Sequence, residues 1–185
     1  RGELDLGAPI ATYWPEFGTN GKEAVTMAQV LGHTAGLPGW DPALPPESLY
    51  DWDAACENLA DQAPWWEPGT KSGYHAITQG YLEGEVVRRV TGRSIGGFFR
   101  EEVAEPLGAD FHIGLPESEE PRAGRLDPPG ARLGEVGASD DSVAVRALLS
   151  CPLTGAEPNT RAWRAAEIPA AGGTGNARAV ARVHS

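Results

Sequence analysis

Residues 66–92 read WEPGTKSGYHAITQGYLEGEVVRRVTG: a Pro-Gly turn, then a tyrosine at position 74, then a helical pattern. Leu82, Val86 and Val90 recur at every fourth position, which is the spacing of one helix face. Gly92 supplies the left-handed residue at which such a helix commonly ends. The stretch predicts a helix over residues 77–91 with Tyr74 on the loop before it, and a loop held by a rigid helix suits a functional group.

Capping residues predict further helices on both sides of this stretch. The predicted ranges are 26–32, 51–62, 94–104, 142–149 and 176–183. Thr26 and Gln29 form a capping-box pair in the first of these, and Pro106 is expected to end the third. Residues 114–142 are rich in Gly, Pro and acids without a sustained period, so we predict a long surface loop that could be partly disordered. Alternating strand patterns are almost absent, so the chain should be mainly helical with long loops.

The amino-acid composition limits the kinds of molecule that the chain is expected to bind. The chain of 185 residues is about one domain in size, and Asp and Glu outnumber Lys and Arg by 26 to 15, which gives a net charge of -11. This charge would repel nucleic acid and anionic membranes, and no apolar run approaches the ~20 residues of a membrane span. Cys56 and Cys151 lack the spacing of a zinc or disulfide motif, so we predict two buried thiols and no zinc site.

Two short motifs match serine-hydrolase patterns by their letters alone. The sequence Gly92-Arg93-Ser94-Ile95-Gly96 spells G-x-S-x-G, but that motif needs a strand before its serine. A helix is predicted there instead, so Gly92 is interpreted as a C-cap and Ser94 as the next N-cap. His112-Ile113-Gly114 has the form His-x-Gly but follows an acidic turn, and we interpret it as a chance match.

Tyr74 considered alone would be a packing residue, but the order of segments around it is specific. The order runs Val25-Thr26-Met27-Ala28-Gln29-Val30-Leu31-Gly32-His33-Thr34-Ala35-Gly36-Leu37-Pro38, Glu67-Pro68-Gly69-Thr70, Tyr74, Glu85-Val86-Val87-Arg88-Arg89-Val90-Thr91-Gly92 and Pro106-Leu107-Gly108. In this order the segments resemble the serine β-lactamase-related family, which includes class C β-lactamases, D-Ala-D-Ala carboxypeptidases and esterases built on their fold. The resemblance implies the α/β β-lactamase/transpeptidase-like fold, of which this chain would be mostly the helical lobe.

The resemblance also implies a site of three parts: Ser-x-x-Lys on a helix, Tyr-x-Asn or a variant on a loop, and Lys-Thr-Gly or His-x-Gly on a strand. Tyr74 matches the second part and would be the general base that accepts the serine proton. His75 and Ala76 follow it, and the missing Asn would remove an amide that recognises a lactam side chain. This departure favours an esterase over a β-lactamase.

The first and third parts are missing from these residues. The lysines are Lys22 and Lys71, and the residues three places before them are Thr19 and Pro68. Thr19 and Lys22 lie in a glycine-containing loop and are not expected to share a helical turn. We therefore expect residues 1–185 to be one partial domain, cut at both ends, with the nucleophilic serine and its lysine elsewhere in the protein.

The remaining candidates have simpler structural interpretations. His33, at a helix end, is interpreted as a hydrogen-bonding residue, since no second His lies at metal spacing. Trp14, Trp40, Trp65 and Trp66 could line an acyl pocket, but core or loop packing is the default for tryptophan. Asp140 and Asp141, and the acids of 117–120, are interpreted as solvated surface charges.

These observations lead to one main hypothesis and three alternatives. The main one is a serine hydrolase with an acyl-enzyme mechanism, most simply an esterase, which is inactive as this segment alone. Its substrate would be a small ester or lactam, no metal or organic cofactor is implied, and the oligomeric state is left open. The alternatives are a non-catalytic helical segment used for binding or assembly, a β-lactamase or D-Ala-D-Ala carboxypeptidase, and an α/β-hydrolase, which would need a strand ending at Gly92.

Overall fold

The computed structural model describes residues 2–127 and 142–185, and this part of the chain is mainly helical. The helices are α1 (Met27–Leu31), α2 (Trp52–Asp61), α3 (Thr78–Thr91), α4 (Ile95–Phe99), α5 (Glu105–Leu107), α6 (Val143–Leu149), α7 (Arg161–Ala165) and α8 (Ala177–Val183). Two short strands, β1 (Phe111–Ile113) and β2 (Gly173–Gly175), pair antiparallel with Phe111 opposite Gly175. No helix in the described ranges is long and apolar enough to cross a membrane.

The predicted helix starts are confirmed by the side chains that cap them. Thr26 and Gln29 make the reciprocal capping box of α1, and the Asp51 side chain accepts from the N–H of Ala54 at the start of α2. Equivalent caps are made by Ser142 at α6 and Asn176 at α8. Each cap satisfies a main-chain donor that the first helical turn leaves free, so these starts are determined locally.

The predicted end of the helix after Ser94 is wrong. The chain stays helical beyond α4 through a π-helical turn, Arg100–Ala104, and then through α5, which contains Pro106. Pro106 directly follows the π-helical turn, in which the N–H of Glu105 donates to the carbonyl of Arg100, so the helix continues past a residue that has no N–H to donate. The segment ends instead at Gly108, whose φ of 57° is left-handed.

The predicted loop over 114–142 is also only partly right. Residues Glu117–Arg122 form a 3-10 helix, and residues 128–141, which include Asp140 and Asp141, lie outside the described part of the chain. Glu120 is not a solvated surface charge, because it is half-buried and forms an ion pair with Arg164 of α7. The fold brings that arginine to it from a distant part of the sequence.

The core forms where α2 and α3 pack against the N-terminal segment and the loop after α1. Its largest fully buried hydrophobic side chains are Trp14, Trp40, Tyr81, Phe17, Ile10, Leu37, Leu49, Leu59, Leu82 and Ile168. Two of the aromatic side chains are held by hydrogen bonds to main-chain carbonyls. Trp40 Nε1 donates to the carbonyl of Ala55 at 3.1 Å, and Tyr81 Oη donates to the carbonyl of Leu49 at 2.6 Å. The packing default proposed for Trp14 and Trp40 is therefore confirmed, as is the burial of both free cysteines, Cys56 and Cys151.

A carboxylate lies on the buried face of α3, which the apolar pattern did not predict. Glu85 is 1% exposed and accepts hydrogen bonds from Arg88, Arg89 and Trp52 Nε1. Burial alone would raise the pKa of Glu85, but hydrogen bonds from Arg88, Trp52 and Arg89 outweigh it and hold the pKa below its usual value. The charge is thus neutralised locally, and α3 can pack as a rigid support for the loop that precedes it.

Candidate active site

Tyr74 lies on the loop between α2 and α3, four residues before Thr78 begins α3. Tyr74 is 71% exposed. This exposure agrees with the expectation that Tyr74 is accessible, and the concave surface expected around it stays a prediction. Its neighbour His75 points the opposite way and is 1% exposed, so adjacent residues of this extended segment face solvent and core in turn.

His33 holds the loop on both sides of Tyr74. The N–H of Gly73 donates to the carbonyl of His33 at 3.0 Å, and the N–H of His75 donates to His33 Nδ1 at 3.1 Å. The His33 ring also meets the Tyr74 ring edge-on, with the centroids 4.9 Å apart. The structural hydrogen-bonding role predicted for His33 is therefore confirmed, and its partners are the two neighbours of Tyr74.

His75 anchors the same loop from inside. Its Nε2 accepts the N–H of Leu37 at 3.0 Å, so Nδ1 carries the proton and donates to the carbonyl of Gly73 at 2.6 Å. Burial lowers the pKa of His75 to about 4 against the opposing effect of its hydrogen bond to the Gly73 carbonyl, and His33 lowers it further. His75 is therefore neutral at neutral pH and uses both ring nitrogens to join the loop to the segment after α1.

Because His75 is buried in its neutral form, the stability of the folded chain depends on pH. Because its pKa falls from 6.5 in the unfolded chain to about 4 when folded, the unfolded state binds more protons between these values, and stability is lost as the pH falls. We expect the free energy of unfolding to drop by about 2–3 kcal/mol from this group between pH 7 and pH 4.5. Urea denaturation across this range measures the drop.

The control for this prediction is a pair of histidine variants. His75→Gln keeps an acceptor for the Leu37 N–H but cannot titrate, so it should flatten the pH dependence. His184→Gln, at an exposed position near the end of α8, should leave it in place. An unchanged slope in His75→Gln would contradict the assignment.

Further hydrogen bonds connect residues 33–37 to residues 65–78. Main-chain N–H groups of Trp65 and Gly69 donate to the carbonyls of Gly36 (2.7 Å) and Thr34 (2.9 Å). Thr78 Oγ1 donates to the carbonyl of Leu37 at 2.6 Å, which ties the start of α3 to the same segment. The base of the Tyr74 loop is thus fixed at several points while the tyrosine itself stays exposed.

Gly73 leaves room for an aromatic ring beneath the loop. A Cβ at this position would lie 2.7 Å from Trp66 Cη2 and 3.3 Å from Val143 Cγ1 at the start of α6. Trp66 is 8% exposed and also meets the His75 ring edge-on. Trp66 therefore packs under the loop, in agreement with the packing default for tryptophan, and Trp65 stacks under the guanidinium of Arg146.

The residues of the G-x-S-x-G and His-x-Gly matches make local structural contacts. Gly92 is left-handed (φ 69°) and follows helix α3 rather than a strand, which excludes the α/β-hydrolase alternative. Ser94 caps α4 by accepting the N–H of Gly97 at 3.2 Å, and its hydroxyl donates to Glu167 Oε1 at 2.7 Å. His112 lies in β1, with Nε2 3.5 Å from Asp110 Oδ1.

Lys22 is a structural lysine. It is fully buried, and its Nζ donates to the main-chain carbonyls of Thr19 (3.0 Å) and Gln62 at the C-terminal end of α2. Burial lowers the pKa of Lys22. The expectation that Thr19 and Lys22 form no nucleophile pair on one helical turn is confirmed, because Asn20 and Gly21 between them both have positive φ. The described residues contain no group of His, Cys, Asp and Glu placed to hold a metal ion.

The anchoring role of His75 was not predicted from the sequence. In the sequence His75 is only the middle residue of the tyrosine motif, because the partner of its ring, Leu37, lies 38 residues earlier in the chain. The one local signal was the two-residue alternation of an extended segment, which places His75 on the face opposite Tyr74.

Comparison with known proteins gives a consistent set of matches. A family model described as Beta-lactamase matches residues 1–185. The chain is 37% identical over 204 residues to the Esterase/beta-lactamase LipL of Mycobacterium tuberculosis, and the alignment covers 100% of this chain and 45% of that protein. The crystal structure of a family VIII carboxylesterase superposes with a TM-score of 0.88 at 45% identity, covering 99% of this chain and 48% of that one.

A second solved structure, a novel penicillin-binding protein homolog from Caulobacter crescentus, has a TM-score of 0.84 at 42% identity. That match covers 98% of this chain and 48% of the other. The chain therefore spans about half the length of these relatives.

Proposed function

The chain belongs to the beta-lactamase family, and from that premise we propose that the protein containing it is a serine hydrolase that cleaves small carboxylic esters through an acyl-enzyme. The fold is β-lactamase/transpeptidase-like, and its described residues are mostly helical, as in the helical lobe. Relatives of the chain are named as esterases and β-lactamase-like hydrolases. The observation that carries the proposal is the exposed Tyr74 on a loop fixed from both sides by His33 and His75.

In the proposed mechanism Tyr74 is the general base. A serine outside residues 1–185 attacks the ester carbonyl through its Oγ, and the Tyr74 phenolate accepts the proton that the serine loses. The bond to the leaving alkoxide then breaks, and Tyr74 returns the proton to the leaving oxygen. Water hydrolyses the acyl-serine by the same proton transfers in reverse order. A lysine three residues after the serine would stabilise the phenolate form.

Two features favour an ester over a lactam as the substrate. Ala76 stands where many members of the family have Asn, so the loop offers a methyl group in place of an amide that could hydrogen-bond a lactam side chain. The family VIII carboxylesterase covers 99% of this chain at 45% identity, whereas the name of the Mycobacterium tuberculosis relative includes both activities. We propose that short-chain esters are hydrolysed faster than a chromogenic cephalosporin.

The proposal is tested with a fluorophosphonate probe that labels activated serines. The whole protein should be labelled covalently and should hydrolyse p-nitrophenyl butyrate faster than nitrocefin. A well-folded protein without labelling would instead support the alternative of a non-catalytic helical segment for binding or assembly. Faster turnover of nitrocefin would replace the esterase by a β-lactamase.

We expect the isolated 185-residue chain to have no ester hydrolysis above background. A base without its nucleophile forms no acyl-enzyme, and a missing oxyanion hole alone commonly costs about 3 kcal/mol or more of transition-state stabilisation. The measurement compares equal concentrations of the chain and the whole protein on p-nitrophenyl butyrate. Saturable turnover by the chain that is abolished by Ser94→Ala and unaffected by Tyr74→Phe would contradict it.

A further inference from the structure

We infer that His33 is the positioning residue of Tyr74, which means that it holds the tyrosine side chain in the orientation that proton transfer requires. This inference rests on the proposed function. His33 reaches both chain neighbours of Tyr74 and the tyrosine ring itself. It is not a catalytic residue, because its contacts are with the loop and not with reacting atoms.

The geometry of the loop leads to this assignment. An exposed tyrosine side chain has few packing contacts to restrict its rotamer, so its orientation depends on the backbone that carries it. Gly73 N–H and His75 N–H, one on each side of Tyr74, donate to the carbonyl and to Nδ1 of the same residue, His33. The Ser72–Gly73 peptide and the Tyr74–His75 peptide are therefore both bound to His33, one to its carbonyl oxygen and the other to its ring.

The ring of His33 adds a direct contact. Its centroid lies 4.9 Å from that of Tyr74 at an interplanar angle of 60°, an edge-on arrangement that aromatic pairs favour. Because Nδ1 accepts from His75, the ring proton of neutral His33 is on Nε2. The ring orientation is thus determined by the same hydrogen bond that fixes the loop.

The backbone conformation of His33 limits which residues can replace it without strain. Its φ of 57° lies in the left-handed region, which Gly and Asn adopt with little strain. Asn also places Oδ1 where histidine places Nδ1, so His33→Asn keeps an acceptor for the His75 N–H. His33→Gly keeps the backbone conformation and the carbonyl but has no acceptor at this position. The two variants therefore separate the hydrogen bond from the backbone conformation.

The test uses both variants in the whole protein, with Tyr74→Phe in parallel. We expect His33→Gly to lower kcat for p-nitrophenyl butyrate about 10- to 100-fold with KM within about threefold, because misplacing a positioned base costs rate rather than binding. His33→Asn should recover kcat to within about fivefold of the unchanged protein. Hydrogen exchange of the peptide containing His75, measured by mass spectrometry, should be about tenfold faster or more in His33→Gly and near normal in His33→Asn.

Each other result counts against the inference. A His33→Gly protein with kcat within twofold of the unchanged protein would overturn it, and so would His33→Asn losing as much kcat as His33→Gly. Full activity in Tyr74→Phe would instead remove the proposed function, and with it the catalytic meaning of His33. Loss of activity in Tyr74→Phe together with a fully active His33→Gly would remove only the inference about His33.

Discussion

Replacing Tyr74 by Phe is expected to lower kcat/KM for ester hydrolysis by the whole protein about 100- to 10,000-fold, the usual contribution of a positioned general base. The variant removes one hydroxyl from a side chain that is 71% exposed, so the folded state loses almost nothing in packing. The loss should therefore appear in catalysis alone, with urea denaturation unchanged. Steady-state kinetics on p-nitrophenyl butyrate measure it.

A matched tyrosine provides the control for Tyr74→Phe. Tyr50, in the 3-10 turn Pro46–Tyr50, is half-buried against the core, and Tyr50→Phe should leave kcat/KM within about threefold. Fluorophosphonate labelling should slow in Tyr74→Phe, since the serine loses its proton acceptor. Equal activity of Tyr74→Phe and Tyr50→Phe would require another base and would end the proposed role of Tyr74.

Replacing Gly36 by Ala is expected to destabilise the fold by about 3 kcal/mol, from left-handed strain plus a forced separation of two segments. Gly36 has φ 81°, and a Cβ there would lie 2.7 Å from the carbonyl oxygen of Trp66 and 2.8 Å from Pro64 Cβ. Main-chain atoms cannot move aside without breaking the hydrogen bond from the Trp65 N–H to the Gly36 carbonyl. Urea denaturation gives the change in free energy of unfolding.

Gly92 is the matched control for Gly36. It has φ 69°, so Ala pays the same kind of backbone strain, but nothing lies within 4 Å of its added Cβ. Gly92→Ala should therefore cost only about 1 kcal/mol. Equal destabilisation by the two variants would show that the contact between the segment of residues 33–37 and the segment of residues 64–75 contributes little to stability.

Much of the fold could be predicted because its determinants are local. The capping box of Thr26 and Gln29 and the caps at Asp51 and Ser142 need only neighbouring residues, and the structure confirms each of them. The family and the fold class could likewise be recognised from the order of short segments. Pro106 was misjudged because the π-helical turn before it, Arg100–Ala104, has no simple sequence pattern.

The sequence by itself determined the helix starts, the left-handed end at Gly92 and the place of Tyr74 on an exposed loop, since each depends on residues within one or two turns. Only the tertiary structure decided what holds that loop. His33 and His75 are joined across 42 residues of sequence, and Leu37, 38 residues before His75, supplies the partner of its buried Nε2. Burial of a polar group is stable where distant chain segments meet its hydrogen-bonding needs, and no local pattern specifies which segments those are.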